Sequence, residues 1–141
     1  MAARAVLVIN ADRSQLARVR AWVADQARTV KASQSEIDDL VLAIDEAVTN
    51  VIVHGYHDRP GLIELEVMVE SDRMTLILRD QAPLFDPTRV PSPDLSLPLE
   101  QRPIGGMGIH LMRHSVDRLT YARTSAGGNQ ITLVKFLDCK T

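Results

Sequence analysis

The sequence predicts an α+β fold, with helices on one face of a mostly antiparallel sheet. Strand-like runs come as sequence neighbours, Leu62–Glu70 beside Met74–Asp80 and Leu119–Arg123 beside Ile131–Leu137. Helical stripes are too few to clothe both faces of a doubly wound sheet. The order β-α-α-β-β-loop-α-β-β contains no internal repeat.

A chain of 141 residues with 45% hydrophobic and 24% charged residues is expected to form one globular domain over 1–141. Sixteen basic and eighteen acidic residues give a net charge of −2, which disfavours a strongly basic nucleic-acid binder. The lone cysteine, Cys139, cannot pair within the chain. No apolar run approaches the roughly 20 residues of a membrane span. The apolar stretch before Asn10 is too short for a signal peptide and lacks a cleavage site. Together these point to a soluble cytoplasmic protein.

Ala5–Ile9 is β-rich and reads as a strand. Asp12 or Ser14 can cap a helix whose stripe is Leu16, Val19, Val23, Ala27 and Val30. A second helix opens near Ser33 or Ser35, with Ile37, Leu40, Val41, Ile44, Val48 and Val51 as its stripe, and Gly55 is expected to end it as a C′ glycine. Asp58-Arg59-Pro60-Gly61 is a turn. Ile63, Leu65, Val67 and Val69 then alternate with Glu64, Glu66 and Glu70, the pattern of a half-buried strand. Gln81–Arg102 holds five prolines and little periodicity; so long a loop in a compact domain is usually functional. A short helix follows at about Ile109–Ser115, and a hairpin around Ser125–Asn129 closes the chain.

On the second helix, Glu46 and Asn50 lie four apart and stack on the face opposite the core stripe, with Asp39 on the same face. A solvated polar face accounts for such a pair. Against it, Leu42 and Val53 also stand away from the stripe and Ala43 and Ala47 are small, which suits a helix packed on both sides. A carboxylate and an amide one turn apart suit a general base and a hard oxygen ligand for magnesium. Asp80, at a strand end, is either an ordinary turn residue or an acceptor for an exocyclic amine. Gly105, Gly106 and Gly108 before a helix allow close approach of an anion, or form a plain connection; Arg102 upstream could reach a phosphate or be a solvated loop charge. No Gly-Lys-Ser/Thr follows the glycines, so this is not a Walker loop. His54 reads as structural, and His57, His110 and His114 share no ligand spacing with Cys or carboxylates.

The order of these features is more specific than any one of them. Glu46-Ala47-Val48-Thr49-Asn50 with His54-Gly55-Tyr56 resembles the N box of the GHKL (Bergerat-fold) ATPases, and within them the anti-sigma-factor serine kinases. Asp80-Gln81-Ala82-Pro83-Leu84-Phe85-Asp86-Pro87 resembles their first glycine box, and Gly105-Gly106-Met107-Gly108-Ile109 their second; Gly127-Gly128-Asn129 also fits. The resemblance spans nearly the whole chain. It implies a two-layer α/β sandwich with a mixed, mostly antiparallel sheet. It implies Glu46 as general base, Asn50 as the magnesium ligand and Asp80 as acceptor from the adenine amino group of ATP. Ala82, Phe85, Arg102, Gly105, Gly106, Met107, Gly108 and Ile109 would complete the nucleotide site, with a lid from roughly Thr88 to Pro103. The implied activity is phosphoryl transfer from ATP to a serine or threonine of a STAS-domain anti-anti-sigma protein, by a homodimeric anti-sigma factor that also holds a sigma factor. The alternative is a catalytically weak ATP-binding switch of the same fold that sequesters a partner. A sensor histidine kinase half is disfavoured, since no helix bears a phospho-accepting histidine.

One departure stands out. Ala82 occupies a position where the family usually has glycine. An alanine forced into left-handed geometry costs about 1 kcal/mol. Alternatively, its methyl group narrows the adenine pocket.

Overall fold

The computed structural model describes residues 3–91, 96–98 and 106–138. Five strands, β1 (Ala3–Asn10), β2 (Leu62–Val69), β3 (Arg73–Asp80), β4 (Arg118–Arg123) and β5 (Asn129–Phe136), form one sheet in the order β1-β2-β3-β5-β4. Three helices, α1 (Leu16–Arg28), α2 (Gln34–Asn50) and α3 (Gly106–Ser115), complete the fold. All four strand pairings are antiparallel, so the described sheet is not mixed. The reason is the path after β3: the chain passes through α3 and β4 and returns as β5, antiparallel to β3.

The strand alternation decides which face is covered. Ile63, Leu65, Val67 and Val69 of β2 lie opposite Asp80, Leu78, Leu76 and Met74 of β3. All eight are buried, and the apolar seven join α1 and α2 residues such as Val19, Val23, Leu40 and Ile44 in one core. The other face is open. On it Arg79 contacts Glu64 at 2.8 Å and Glu66 at 3.0 Å, and Arg4 pairs with Glu66. Val6, Val8 and Leu62 remain exposed.

Asp12 caps the turn that leads into α1, accepting from the Ser14 amide at 2.9 Å. Ser33 begins α2 with a capping box: its hydroxyl accepts from the Glu36 amide at 3.1 Å and Glu36 accepts from the Ser33 amide at 2.8 Å. Glu36 is mostly buried and also accepts from the Asp138 amide at 2.7 Å, so the cap ties the helix start to the end of β5. Ala43 and Ala47 are fully buried, as a helix packed on both sides requires.

The end of α2 differs from expectation. Val51–Gly55 continues the helix as a π-helical turn, and the left-handed residues beyond it are His57 (φ 55°) and Asp58 (φ 58°), not Gly55. Gly55 answers a different need. A Cβ there would stand 3.0 Å from the Cβ of Ala82. Tyr56 fixes the next turn: its hydroxyl donates to the Leu62 carbonyl and accepts from the Gln81 amide, both at 2.8 Å.

Ser33→Ala removes one half of the capping box. It is expected to cost about 1 kcal/mol and to lower Tm by about 3–5 °C, read by thermal denaturation followed by circular dichroism.

Candidate functional site

The β3–β5 register places Asp80 directly opposite Asn129 on the covered face, at the edge of the core. Asp80 is 3% exposed and Asn129 4%. Asp80 Oδ1 accepts from the Ala82 amide at 3.0 Å, an Asx-type turn, and from Asn129 Nδ2 at 2.9 Å. Its Oδ2 has no hydrogen-bond partner among the described residues. Burial pushes the Asp80 carboxyl up from its ordinary value, and the two donated hydrogen bonds oppose that push.

A cleft opens beside this pair. Asn50, Val51, Gly55, Asp80, Ala82, Pro83, Phe85, Asn129 and Ile131 line it. The predicted residues Asn50, Asp80, Ala82 and Phe85 are therefore brought together by α2, β3 and the segment after β3. The Asn50 side chain makes no hydrogen bond to any described residue. Glu46 stands one helical turn before it. Its carboxylate has no hydrogen-bond donor among the described residues, and burial, with the charge of Asp45 added, raises its pKa.

Glu46 faces the start of α3. A Cβ on Gly108 would stand 2.7 Å from Glu46 Oε2, so glycine here leaves the carboxylate where it is, and a larger residue would push it aside. Gly106 and Met107 open α3, and Ile109 is 4% exposed within the core. Arg102 and Gly105 lie outside the described residues, as does most of the expected lid. The start of that lid is held: Arg113 of α3 donates to the Val90 and Pro87 carbonyls, both at 2.8 Å. Asp39, expected on the face of Glu46, is engaged by Lys135 Nζ at 2.9 Å.

Ala82 does not adopt the left-handed geometry the sequence suggested. Among the described residues the non-glycines with positive φ are Lys31, His57 and Asp58. The Asx turn holds the backbone at Ala82, and its methyl group fits against Gly55, where no Cβ competes. The expected strain cost therefore does not arise, although the methyl group does line the cleft.

In the sequence Asn129 stands out only as the last residue of Gly127-Gly128-Asn129. The structure makes it the centre of the segment after β3. Its Nδ2 also donates to the carbonyls of Ala82 (3.1 Å) and Pro83 (3.3 Å), and its Oδ1 accepts from the Phe85 amide (3.0 Å) and the Tyr121 hydroxyl (2.6 Å). Gly128 lets this happen: a Cβ there would stand 2.0 Å from the Asp80 carbonyl oxygen. The two glycines before Asn129 were the available signal.

A cleft with a free carboxylate oxygen, a free amide and a desolvated carboxylate one turn away matches a nucleotide-binding ATPase site. Residues 9–135 match the family described as histidine kinase-like ATPase domain, and the chain belongs to it. Within that family it is similar to the serine/threonine-protein kinase BtrW of Bordetella bronchiseptica, 35% identical over 95 residues, covering 67% of this chain and 66% of that protein. It is 29% identical to an anti-sigma F factor of Thermoanaerobacter over 119 residues, covering 84% of this chain and 82% of that protein. It is 29% identical to the serine-protein kinase RsbW of Bacillus cereus over 134 residues, covering 92% and 82%. The fold is shared with a solved structure of the RsbU and RsbW domains of a Mycobacterium tuberculosis protein, at a TM-score of 0.64 and 19% identity, covering 96% of this chain and 32% of that one.

Two predictions follow from Glu46. Its folded-state pKa is raised, so its contribution to stability is present in acid and is lost as pH rises through that raised value. Glu46→Gln should therefore raise Tm at neutral pH, and the gain should vanish below the ordinary carboxyl range. Gly108→Ala meets only the far end of a flexible side chain and should keep the fold. Its effect on stability should change by about 1 kcal/mol when Glu46 is also Ala, a coupling measured by a double-mutant cycle.

Proposed function

We propose that this chain is an ATP-dependent protein serine/threonine kinase that acts as an anti-sigma factor. The observation that carries it is the cleft in which Asp80 Oδ2 and the Asn50 amide lie open, with Glu46 one turn from Asn50. Membership of the ATPase family supplies ATP as the phosphoryl donor, and the names of the relatives supply the kinase and anti-sigma roles.

In this reading Asp80 Oδ2 accepts a hydrogen bond from the adenine amino group, with Ala82 and Phe85 beside the base. Arg102, Gly105, Gly106, Met107, Gly108 and Ile109 belong to the segment that meets the phosphates, where the start of α3 offers unpaired amides. Asn50 fits magnesium: it is a neutral oxygen donor with no competing partner, and that ion keeps most of its shell as water and phosphate oxygens. When bound, magnesium neutralises phosphate charge. Glu46 takes the proton of a substrate hydroxyl as that oxygen bonds to the γ-phosphorus; the bond from phosphorus to the β,γ-bridging oxygen breaks and ADP leaves. Such catalysis is mainly positioning and charge neutralisation. Burial suits Glu46 to the role, because a raised carboxyl pKa makes it a stronger base.

The substrate in this reading is a STAS-domain anti-anti-sigma protein, and the sequestered partner is a sigma factor. Phosphorylation adds about two negative charges to the substrate and weakens its hold on the kinase. A homodimer in the cytoplasm belongs to the same reading; the exposed Val6, Val8 and Leu62 on the open sheet face support a contact between copies.

Thermal denaturation with and without Mg-ATP, joined to a phosphoryl-transfer assay on a STAS-domain protein from the same genome, tests the proposal. Ligand at 100 times its Kd adds about 2.7 kcal/mol. The magnesium-dependent rise in Tm should persist in Glu46→Ala and be lost in Asn50→Ala, with transfer lost in both. A rise without transfer in the unaltered protein would favour the ATP-binding switch. No rise at all would remove the nucleotide site.

A further inference from the structure

We infer that Asn129 is a positioning residue for base recognition, holding Asp80 so that one carboxylate oxygen alone meets the ligand and sets the preference for a 6-aminopurine. The inference rests on the nucleotide reading above and adds to it a residue and a way of acting.

The amide orientation of Asn129 is determined by its neighbours. Its Oδ1 accepts from the Phe85 amide at 3.0 Å, a group that can only donate, and the Tyr121 hydroxyl, which turns to suit its neighbour, donates to the same oxygen at 2.6 Å. Rotating the amide by half a turn would set its NH₂ against the Phe85 N–H. The Nδ2 group must then face Asp80 Oδ1 at 2.9 Å, and its second proton is shared between the Ala82 and Pro83 carbonyls at 3.1 and 3.3 Å. Both protons of Nδ2 are committed, and both lone-pair directions of Oδ1 are occupied. Asn129 therefore has nothing left to offer a ligand directly, although it lines the cleft. It acts through Asp80.

For Asp80 the consequence is an asymmetric carboxylate. Oδ1 is held by two donors, the Ala82 amide and Asn129, so the group cannot rotate without losing both. Oδ2 is left as an acceptor at the cleft. An acceptor fixed in this way takes an exocyclic amine and repels a ring carbonyl. Hypoxanthine has an oxygen at position 6 in place of adenine's amine, and a proton on N1 in place of a lone pair; Oδ2 accepts from the amine and is repelled by that oxygen. The hydroxyl of Tyr121, on the edge strand β4, is the outermost member of this chain of hydrogen bonds, so the edge of the sheet bears on base choice.

Binding of ATP and ITP to the full chain, measured by calorimetry in magnesium buffer, tests this. The unaltered protein should bind ATP at least about tenfold more tightly than ITP, since a hydrogen bond to a charged group is at stake. Asn129→Ala should weaken ATP about tenfold and leave ITP within about twofold, collapsing the ratio. Asp80→Asn should collapse it too, and the double variant should add little to either. Tyr121→Phe removes a single hydroxyl from a half-buried ring and should lower the ratio about threefold; it decides the matter should Asn129→Ala not fold. Discrimination lost in Asp80→Asn but kept in both Asn129→Ala and Tyr121→Phe overturns the positioning role and leaves the nucleotide reading standing. Equal binding of ATP and ITP by the unaltered protein overturns the adenine reading itself.

Discussion

The pairing register between β3 and β5 is the constraint on which the site depends. Strand side chains alternate faces, so a slip of one residue would turn every inward group outward. Leu76, Leu78, Ile131 and Leu133 hold the register by burying their side chains. Their common register carries Asp80 and Asn129 to the same face at the end of both strands. The apolar core thus aims a polar pair that it does not contain. Placing a carboxylate at 3% exposure is costly unless it is hydrogen-bonded, and the donors come from the cross-strand amide and the Asx turn.

The second constraint is that α2 is buried on both sides. Its capping box fixes where the helix starts, and Ala43 and Ala47 let neighbouring helices approach. In its last two turns Asn50 then faces the cleft and Glu46 the start of α3. Glu46 is desolvated without acquiring a counter-charge among the described residues, an arrangement that opposes stability. A carboxylate placed so is more basic than one in water, which is why the same feature reads as a defect in the fold and an asset in the proposed chemistry.

Local pattern made the strands, the three helices and their order legible. The alternation in β2 and the stripe of α2 are strong signals because each is repeated several times within one element. The stacking of Glu46 and Asn50 was legible for the same reason, being a matter of helical pitch. What was not legible depends on contacts between elements. Gly55 looked like a helix terminator, yet the chain runs through it in a π-helical turn and its missing Cβ serves Ala82, 27 positions away in the chain. Ala82 looked strained because the family pattern has glycine there; an Asx turn and the space above Gly55 relieve it. Asn129 shows its importance only when Asp80, Phe85 and Tyr121 are seen around it, since none of them lies within six residues of it in sequence.

Gly55, Gly108 and Gly128 now share one explanation, though each came from a different motif. None has positive φ. A methyl group at these positions would meet, respectively, the Ala82 side chain at 3.0 Å, the Glu46 carboxylate at 2.7 Å and the Asp80 backbone at 2.0 Å. Each glycine is present because another group must come close, and that group is in every case at or beside a proposed site residue. At these three positions glycine is a record of tight packing beside site residues. The distances also rank the three. At Gly108 the obstacle is the movable end of a side chain, at Gly55 it is a small methyl, and at Gly128 it is main chain that is paired in the sheet and has nowhere to go. Gly128 is thus the position where the fold itself, and with it the setting of Asp80, admits no side chain.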